Sequence, residues 1–232
     1  MFEVQRSLSE HPDKIGDLFR MLQDISGEAA ARWNASGEDI KEKGLMWVII
    51  RYDIRLARML RAGEPLAFLT WASPVRHRMS QRHYVASDES GECVLSGSGI
   101  WAVVDYNTRS MIDPSKRDVL IHGEVTGQEQ PRPETPVHLP LTSQTDYVVT
   151  DSVLDINGHM NNTRYFDLVQ DCIREETEEL SLRRVRAVFN NEAREGDTIR
   201  VSWGRDENKW FFSGEKNSGL CFQIGFEFDI KQ

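Results

Sequence analysis

The feature that most constrains the fold is an internal repeat, because a duplicated pattern of elements requires two copies of one structural unit. The stretch Ala62-Gly-Glu-Pro-Leu-Ala-Phe-Leu-Thr-Trp71 leads from a turn glycine into a strand-like run that reaches tryptophan, and Glu195-Gly-Asp-Thr-Ile-Arg-Val-Ser-Trp203 repeats it. In the same order, Gly91-Glu-Cys93 and Gly219-Leu-Cys221 each open a last long strand-like run. We therefore predict two copies of a unit that packs a helix on a sheet.

Each copy begins with a helix and continues with strands. Residues 13–33 carry apolar side chains at helical spacing, which predicts an amphipathic helix. From Leu45 onward apolar and charged residues alternate, which predicts a half-buried strand. Further strand-like runs of the first half are residues 66–73, 75–87 and 92–106. The second half has a predicted helix at residues 161–179 and strand-like runs at 185–193, 198–205, 209–214 and 219–230.

A proline-rich segment separates the two copies. Residues 107 to about 145 lose the periodicity, and Gln130-Pro-Arg-Pro-Glu-Thr-Pro136 holds the densest cluster of residues that break helices and strands. We predict an α+β fold of two tandem domains, each a long helix wrapped by an antiparallel sheet. The predicted boundaries are residues 1–125 for the N-terminal domain, 126–145 for the crossover and 146–232 for the C-terminal domain.

The composition is typical of a soluble globular protein. A net charge of −9 argues against nucleic acid as the main partner. No run of about 18 apolar residues occurs and the N-terminus does not resemble a signal peptide, so we expect a cytoplasmic location without membrane insertion. The three cysteines, Cys93, Cys172 and Cys221, each lie in an apolar run, which favours buried free thiols.

A cluster of reactive side chains lies just before the second predicted helix. Asp155, Asn157 and His159 bring a carboxylate, an amide and an imidazole within five residues. Asn161 and Asn162 follow where the helix must begin, and asparagine is a favoured N-cap. A helix N-terminus has free backbone N–H groups and a dipole that favours negative charge. The cluster therefore predicts an active site in which N–H groups of about residues 159–162 receive an oxyanion.

Other hydrolytic and cofactor-binding motifs do not occur in the sequence. Leu95-Ser-Gly-Ser-Gly99 has serine where the nucleophile elbow of a serine hydrolase requires its first glycine. Neither His-Glu-x-x-His nor Cys-x-x-Cys spacing is found, and no Gly-x-Gly-x-x-Gly follows a predicted strand. We therefore expect no metal and no cofactor.

Taken together, these segments resemble the acyl-ACP thioesterases, a family with two tandem hotdog domains. In the first half the resemblance includes Leu45-Met-Trp-Val-Ile-Ile-Arg51 and Gly99-Ile-Trp-Ala-Val-Val-Asp-Tyr-Asn-Thr-Arg-Ser110. In the second half it includes Leu154-Asp-Ile-Asn-Gly-His-Met-Asn-Asn-Thr-Arg-Tyr165 and a predicted strand that ends in Glu192. The resemblance covers nearly the whole chain, and the Asp-x-Asn-x-His-x-Asn-Asn run is fairly specific.

The resemblance implies hydrolysis of the thioester that joins a fatty acyl chain to the phosphopantetheine arm of acyl carrier protein, in fatty acid biosynthesis. It implies an acyl-chain pocket in the N-terminal domain and a catalytic set in the C-terminal one, namely Asp155, Asn157, His159 and Glu192. Family members often have a cysteine directly after that glutamate, which has been regarded as a nucleophile. This chain has Ala193 there, which argues against a cysteine acyl-enzyme.

We expect water to attack the thioester, with a carboxylate as general base. Either Asp155 or Glu192 would be the base, and His159 would orient the water or pass on the proton. Asn157 would hold the water or the carbonyl through its amide. Alternatively, Glu192 would fix His159 in one tautomer.

Two further sets of residues are expected to bind the substrate. Between the first helix and its sheet, the candidates for an acyl-chain pocket are Leu22, Ile25, Trp33, Met46, Val48 and Trp71. Because the chain is acidic, binding an acidic carrier protein requires a local basic patch. Its candidates are Arg183, Arg184 and Arg186, together with the Arg76-His-Arg78 and Arg82-His83 cluster.

Two other functions are compatible with the sequence. A hotdog acyl-CoA thioesterase is the nearest alternative, and only a carrier-dependent enzyme would be expected to lose rate as salt rises. A non-catalytic acyl-binding sensor is less favoured, because a sensor would not require the four polar residues together. A tandem chain supplies its own pseudo-dimer interface, so the sequence is compatible with a monomer or a homodimer.

Overall fold

The computed structural model describes residues 1–8, 14–155, 157–177 and 180–230. The N-terminal unit contains β1 (Phe2–Ser7), α1 (Ile15–Ala31), α2 (Gly37–Lys41), β2 (Leu45–Leu56), β3 (Pro65–Ala72), β4 (Met79–Ser87) and β5 (Cys93–Asp105). The C-terminal unit contains β6 (Ser143–Val148), α3 (Asn162–Asp171), α4 (Arg174–Thr177), β7 (Leu180–Phe189), β8 (Thr198–Asp206), β9 (Lys209–Lys216) and β10 (Gly219–Ile230). Each unit thus has a strand, helices and four further strands, in the same order.

The strands form one ten-stranded antiparallel sheet in the order β1-β3-β4-β5-β2-β7-β10-β9-β8-β6. The order of the second five strands mirrors that of the first five, so the two units are related as the subunits of a dimer would be. The central strands β2 and β7 join the units by pairing residues 51–55 with residues 184–188. The α+β class and the duplicated helix-on-sheet unit are therefore as predicted.

The two long helices pack against each other on one face of the sheet. The apolar side of α1 is buried, and its Phe19 stacks on Phe166 of α3 with ring centroids 3.9 Å apart. Phe19 also meets Tyr52 of β2 edge to face, at 4.9 Å. A Cβ on Gly16 would lie 2.3 Å from the Asp167 carboxylate, so a larger residue there would have to displace the Asp167 side chain. One main core therefore extends through both units.

The crossover runs over the opposite face of the sheet. Tyr52 faces the helices, so its neighbours Arg51 and Asp53 point the other way, because strand side chains alternate. The Arg51 Nη1 donates to the Pro133 carbonyl at 3.1 Å, and the Asp53 Oδ2 accepts from the Glu134 N–H at 3.1 Å. These bonds fasten the crossover at the junction between the units.

Buried groups along the crossover fix its path at both ends. The buried His83 accepts at Nδ1 from the Gln130 N–H at 3.1 Å, while its Nε2 lies 2.8 Å from the Ser73 Oγ. Burial lowers the pKa of His83 to about 4, so its ring is neutral and can accept this bond. At the other end, a Cβ on Gly204 would lie 1.9 Å from the Pro140 carbonyl oxygen. Glycine at this position lets the crossover pass directly over β8.

Several element boundaries differ from the predictions. The helix predicted at residues 161–179 ends as α3 at Asp171, and the short α4 follows from Arg174. The last two residues of that predicted helix, 178 and 179, and the first residue of the predicted helix 13–33 lie outside the described residues. The run predicted from residue 75 begins as a strand only at Met79, because His77 and Arg78 have positive φ in a tight turn. The edge strands β1 and β6 were not predicted as strands. β6 is exposed along nearly its whole length and shows no apolar alternation; it begins at Ser143, inside the segment assigned to the crossover.

Two residue-level expectations were wrong. Cys93 is exposed at the start of β5, so only Cys221 is fully buried, although all three cysteines are free. Glu192 does not end a strand, because β7 stops at Phe189, where its pairing with β10 ends. The following Asn190 and Asn191 N–H groups both turn to the Cys221 carbonyl, which leads the chain away from the sheet.

Candidate active site

A large cavity lies where the central strands of the sheet separate. β2 and β7 pair over residues 51–55 and 184–188, so residues 46–50 of β2 have no partner strand on that side among the described residues. The cavity here has a volume of about 880 Å³, and all of residues 46–50 line it. Because successive strand residues point to opposite faces, the cavity reaches both faces of β2. It therefore lies along the unpaired edge of β2, at the junction of the two units.

The polar residues singled out in the sequence converge on this cavity. Its lining includes Asp155, Asn157, His159, Asn161, Asn162 and Glu192. Apolar residues line another part of it, among them Met46, Val48, Trp101, Met160 and Phe189, and further polar residues such as Arg109, Arg194 and Lys216 complete the lining. A cavity that combines an apolar wall with a few convergent polar groups is the usual form of a small-molecule site.

The loop before α3 is organised by the Asp155 carboxylate. Its Oδ1 accepts from the Asn157 N–H at 2.8 Å and from the His159 N–H at 3.3 Å, and its Oδ2 lies 3.4 Å from the Asn157 Nδ2. Gly158 has φ +74, a left-handed conformation that the tight turn requires. Asn161 then caps α3, with its side chain accepting from the Thr163 N–H at 2.9 Å, as the sequence predicts. Asp155 therefore holds the loop in shape.

His159 and Glu192 form the central pair of the site. The His159 Nε2 lies 2.9 Å from the Glu192 Oε2, although the residues come from different loops. The Met160 N–H donates to the Ala193 carbonyl at 2.8 Å and so joins the two loops. Lys216 donates to the Glu192 carbonyl at 2.7 Å and to the Asp197 Oδ2 at 2.7 Å, which fixes the second loop from β9.

The electrostatic surroundings keep His159 uncharged near neutral pH. Burial lowers the pKa of His159; the Glu192 carboxylate opposes this effect, and the guanidinium groups of Arg109 and Arg194 reinforce it. A neutral ring beside a carboxylate donates its Nε2–H to Glu192 and leaves Nδ1 as an acceptor. Within the described part of the chain, Nδ1 is buried without a hydrogen-bond partner.

Most of the backbone N–H groups expected to bind an oxyanion are already engaged. His159 donates to Asp155, Met160 to the Ala193 carbonyl and Asn161 to the Val153 carbonyl. The first helical residue, Asn162, is different, because its N–H has no acceptor among the described residues. An anion at this end of the cavity would therefore meet one free N–H at the positive end of α3.

The six residues expected to form the acyl-chain pocket occupy three different places. Met46 and Val48 line the large cavity, whereas Leu22 and Ile25 are fully buried in the main core. The two tryptophans, Trp33 and Trp71, line a second cavity of about 300 Å³. Helical spacing identifies the buried side of α1 but not the side chains that border empty space. Only Met46 and Val48 are therefore next to the polar cluster.

The arginines expected to bind a carrier protein are engaged in bonds within the chain. Arg184 binds the buried Asp53 through its Nε at 2.8 Å and its Nη2 at 2.7 Å. Arg186 pairs with Glu227, and Arg183 bonds with Asp229 at 2.9 Å. In the second group considered, Arg76, His77 and Arg78 are exposed, whereas His83 is buried. Arg184 therefore ties the two units together, Arg183 and Arg186 pair with β10 of their own unit, and the three arginines do not form a free basic patch.

Arg109 is a site residue that the sequence analysis did not single out. It follows β5 in the N-terminal unit, yet it lines the cavity and lies 3.4 Å from the His159 Nε2. Its segment, Gly99 to Ser110, is part of the resemblance described above, but one arginine in a turn gives no sign of the distant loop that it faces.

Among the described residues, no group of acidic, histidine or cysteine side chains could hold a metal ion, and no helix could span a membrane.

Two helix-on-sheet units in one sheet, with a polar cluster in the opening between them, define a tandem hotdog protein. Solved structures support this: the chain resembles an acyl-ACP thioesterase of Bacteroides thetaiotaomicron with a TM-score of 0.81, at 22% identity over 98% of this chain and 97% of that one. It also resembles the 12:0-ACP thioesterase of Umbellularia californica with a TM-score of 0.79, at 14% identity over 99% of this chain and 97% of that one. The predicted tandem hotdog fold is thus confirmed.

Family models identify the chain more closely. The model of the acyl-ACP thioesterase N-terminal domain matches residues 4–119, and that of the C-terminal domain matches residues 140–223. The chain therefore belongs to the acyl-ACP thioesterase family, as the sequence resemblance indicated. A relative, the chloroplastic acyl-[acyl-carrier-protein] hydrolase FATB3 of Cuphea viscosissima, is 24% identical over 137 residues. That match covers 53% of this chain and 32% of the relative, so the chain spans about a third of that protein.

Proposed function

We propose that this protein hydrolyses the thioester of fatty acyl-ACP, releasing a free fatty acid and the carrier with its free thiol. The observation that carries the proposal is the His159–Glu192 pair, 2.9 Å apart in a cavity that also has an apolar wall. A thioester hydrolase of this family needs a base beside the carbonyl and apolar space for the chain, and this cavity provides both.

We infer that Glu192 is the general base. The Asp155 carboxylate is occupied by the N–H groups of its own loop, whereas the Glu192 side chain is 36% exposed at the cavity. Glu192 would take a proton from water as the water oxygen attacks the thioester carbonyl. The neutral His159 would donate its Nε2–H to Glu192 and so hold the carboxylate toward the water.

The developing oxyanion is assigned to the N-terminus of α3. The Asn162 N–H is free to bind it, and the helix dipole adds to this stabilisation. The side-chain amide of Asn157 lines the same cavity and would hold the water or the carbonyl. Collapse of the tetrahedral intermediate then breaks the C–S bond, and the leaving thiolate takes the proton that Glu192 accepted.

The two units have different roles in this proposal. The C-terminal unit supplies the base and the oxyanion site, while β2 of the N-terminal unit supplies apolar wall for the acyl chain. Because one chain supplies both units, a monomer is sufficient for activity. We place the reaction in fatty acid biosynthesis and the protein in the cytoplasm, with acyl carrier protein as its partner.

The test is thiol release from a panel of acyl-ACPs and the matching acyl-CoAs. We expect turnover of the carrier-bound chains, with a kcat/KM that falls as ionic strength rises. The acyl-CoA alternative gains support because Arg183, Arg184 and Arg186 are all engaged within the chain. Turnover of acyl-CoA alone would select that alternative. Tight acyl binding without turnover of either series would show that the protein is a sensor.

Acyl-chain length is expected to depend on Trp47. This residue lines both the cavity of about 880 Å³ and the second one of about 300 Å³, and its indole N–H donates to the Ala35 carbonyl at 2.8 Å. Replacing it with alanine should join the two cavities and favour longer chains. Each additional buried methylene is worth about 0.8 kcal/mol, or roughly fourfold in kcat/KM.

The comparison for Trp47→Ala is Trp47→Phe, which keeps a ring between the cavities. We expect the phenylalanine variant to retain the wild-type order of chain lengths on the same acyl-ACP panel, while the alanine variant shifts it by several methylenes. If both variants and the wild type share one profile, Trp47 does not separate the acyl space from the second cavity.

A further inference from the structure

Arg109 reaches the catalytic pair from the other unit of the chain. It lies in the turn after β5, where its N–H donates to the Asp105 carbonyl at 2.9 Å. The Asp105 Oδ1 also accepts from the Asn107 and Thr108 N–H groups, each at 3.0 Å. Arg109 itself has φ +56, an unfavourable conformation for a residue other than glycine. The turn thus holds the backbone of Arg109 in a defined but strained position.

The guanidinium group is held on several sides. It lies over the Tyr106 ring, 4.9 Å from the ring centroid, and its Nη1 contacts the Met46 sulfur at the edge of β2. Its Nη1 is 3.6 Å from the Glu192 Oε1, and its Nη2 is 3.4 Å from the His159 Nε2. One oxygen of the Glu192 carboxylate therefore faces Arg109 while the other faces His159.

We propose that Arg109 is a positioning residue that holds the Glu192 carboxylate against His159 and thereby makes the site depend on both units. This inference rests on the proposed function, in which Glu192 is the base. Glu192 lies in a loop and is partly exposed, so without a second partner its side chain would leave His159 and take other rotamers. Arg109 provides that partner from a turn that the C-terminal unit does not contain.

The charge of Arg109 has a second consequence at His159. The charges that act on His159 come from Glu192 and Arg194 in the loop after β7, from Asp155 in its own loop and from Arg109. Among these, Arg109 opposes protonation of the ring, so removing its charge should raise the pKa of His159. A protonated ring would pair with Glu192 as an ion pair and weaken it as a base. The acid limb of the pH profile should therefore move when the charge of Arg109 beside His159 is removed.

The test compares three variants by kcat, KM and pH profile on one acyl-ACP. Arg109→Met keeps most of the length of the side chain but removes its charge. Arg109→Lys is a separate variant that retains the positive charge. Arg205→Met is the control, because the exposed Arg205 pairs with Glu176 at 2.8 Å and is not among the residues that line the cavity. Melting temperatures establish that each variant is folded.

For Arg109→Met we expect kcat to fall about 10- to 100-fold with little change in KM, and the acid limb to move to higher pH. Arg109→Lys should recover most of the rate and the wild-type acid limb, and Arg205→Met should match the wild type. A wild-type kcat and pH profile in Arg109→Met would overturn the inference. If Arg109→Met does not fold, an Arg109→Lys enzyme without activity would overturn it as well, because the charge is retained.

The Glu192→Gln variant separates this inference from the proposed function. If Glu192→Gln is inactive while Arg109→Met behaves as the wild type, only the positioning role fails. If Glu192→Gln is itself fully active, the assignment of the base fails first.

Discussion

Glu192→Gln is expected to lower kcat by a factor of about 10² to 10⁴ while leaving the melting temperature nearly unchanged. The amide keeps the shape of the side chain and accepts the Nε2–H of His159, but it does not take a proton from water. The side chain is 36% exposed, so the change removes little packing. Single-turnover release of the thiol from acyl-ACP, measured beside a thermal melt, tests both parts of this expectation.

Two comparison variants make the result specific to the base. Glu195→Gln changes an exposed glutamate in the same loop and should retain full activity. Asp155→Asn keeps an oxygen for the N–H groups of Asn157 and His159, so the loop should hold its shape. The Asp155→Asn enzyme should therefore lose less activity than the Glu192→Gln enzyme. Loss in Asp155→Asn with activity in Glu192→Gln would make Asp155 the base. Full activity in both would contradict general-base catalysis by either carboxylate.

The local parts of the site could be predicted from the sequence because short-range chemistry determines them. Asp155, Asn157 and His159 share one turn, and the hydrogen bonds that shape it span only a few residues. Asn161 caps the helix that follows, for the same local reason. The repeated order of helix and strands predicted the duplicated unit, and the alternation from Leu45 onward predicted the half-buried strand β2.

Contacts between distant segments could not be predicted in this way. Arg109 meets His159 only because β2 and β7 separate beyond residue 51, and no local pattern in either strand shows where pairing stops. Likewise, alternation places Arg184 and Arg186 on the polar side of β7, but it does not distinguish a solvated arginine from one that binds Asp53 or Glu227 beneath the crossover. Leu22 and Ile25 of α1, predicted for the acyl-chain pocket, lie in the core and not along the large cavity, because burial and the lining of a cavity give the same helical pattern.

The largest loss of stability is expected for Asp53→Ala. Asp53 is 4% exposed, and its carboxylate accepts from the Nε and Nη2 of Arg184 and from the Glu134 N–H. Burial alone would raise the pKa of Asp53, but the hydrogen bonds from Arg184 and Glu134 more than offset it, so the pKa lies below its usual value. Among the described residues, removing this carboxylate would leave Glu134 as the one ionic partner of Arg184 and would release the crossover at the junction of the units.

Breaking such a buried pair from one side costs about 3–5 kcal/mol of unfolding free energy, because an uncompensated charge remains. Urea unfolding at neutral pH measures this loss. In the wild type, a carboxylate with a lowered pKa stabilises the fold fully above about pH 4, its ordinary value, and this contribution is lost as the pH falls through the lower, folded-state value. The unfolding free energies of the wild type and Asp53→Ala should therefore converge in strong acid.

Asp146→Ala is the control, because Asp146 pairs with Arg200 at 3.2 Å on the exposed edge strand β6. Equal losses in the two variants would mean that the Asp53–Arg184 bond does not tie the units together, and the two units would then be held by the shared core and the pairing of β2 with β7 alone.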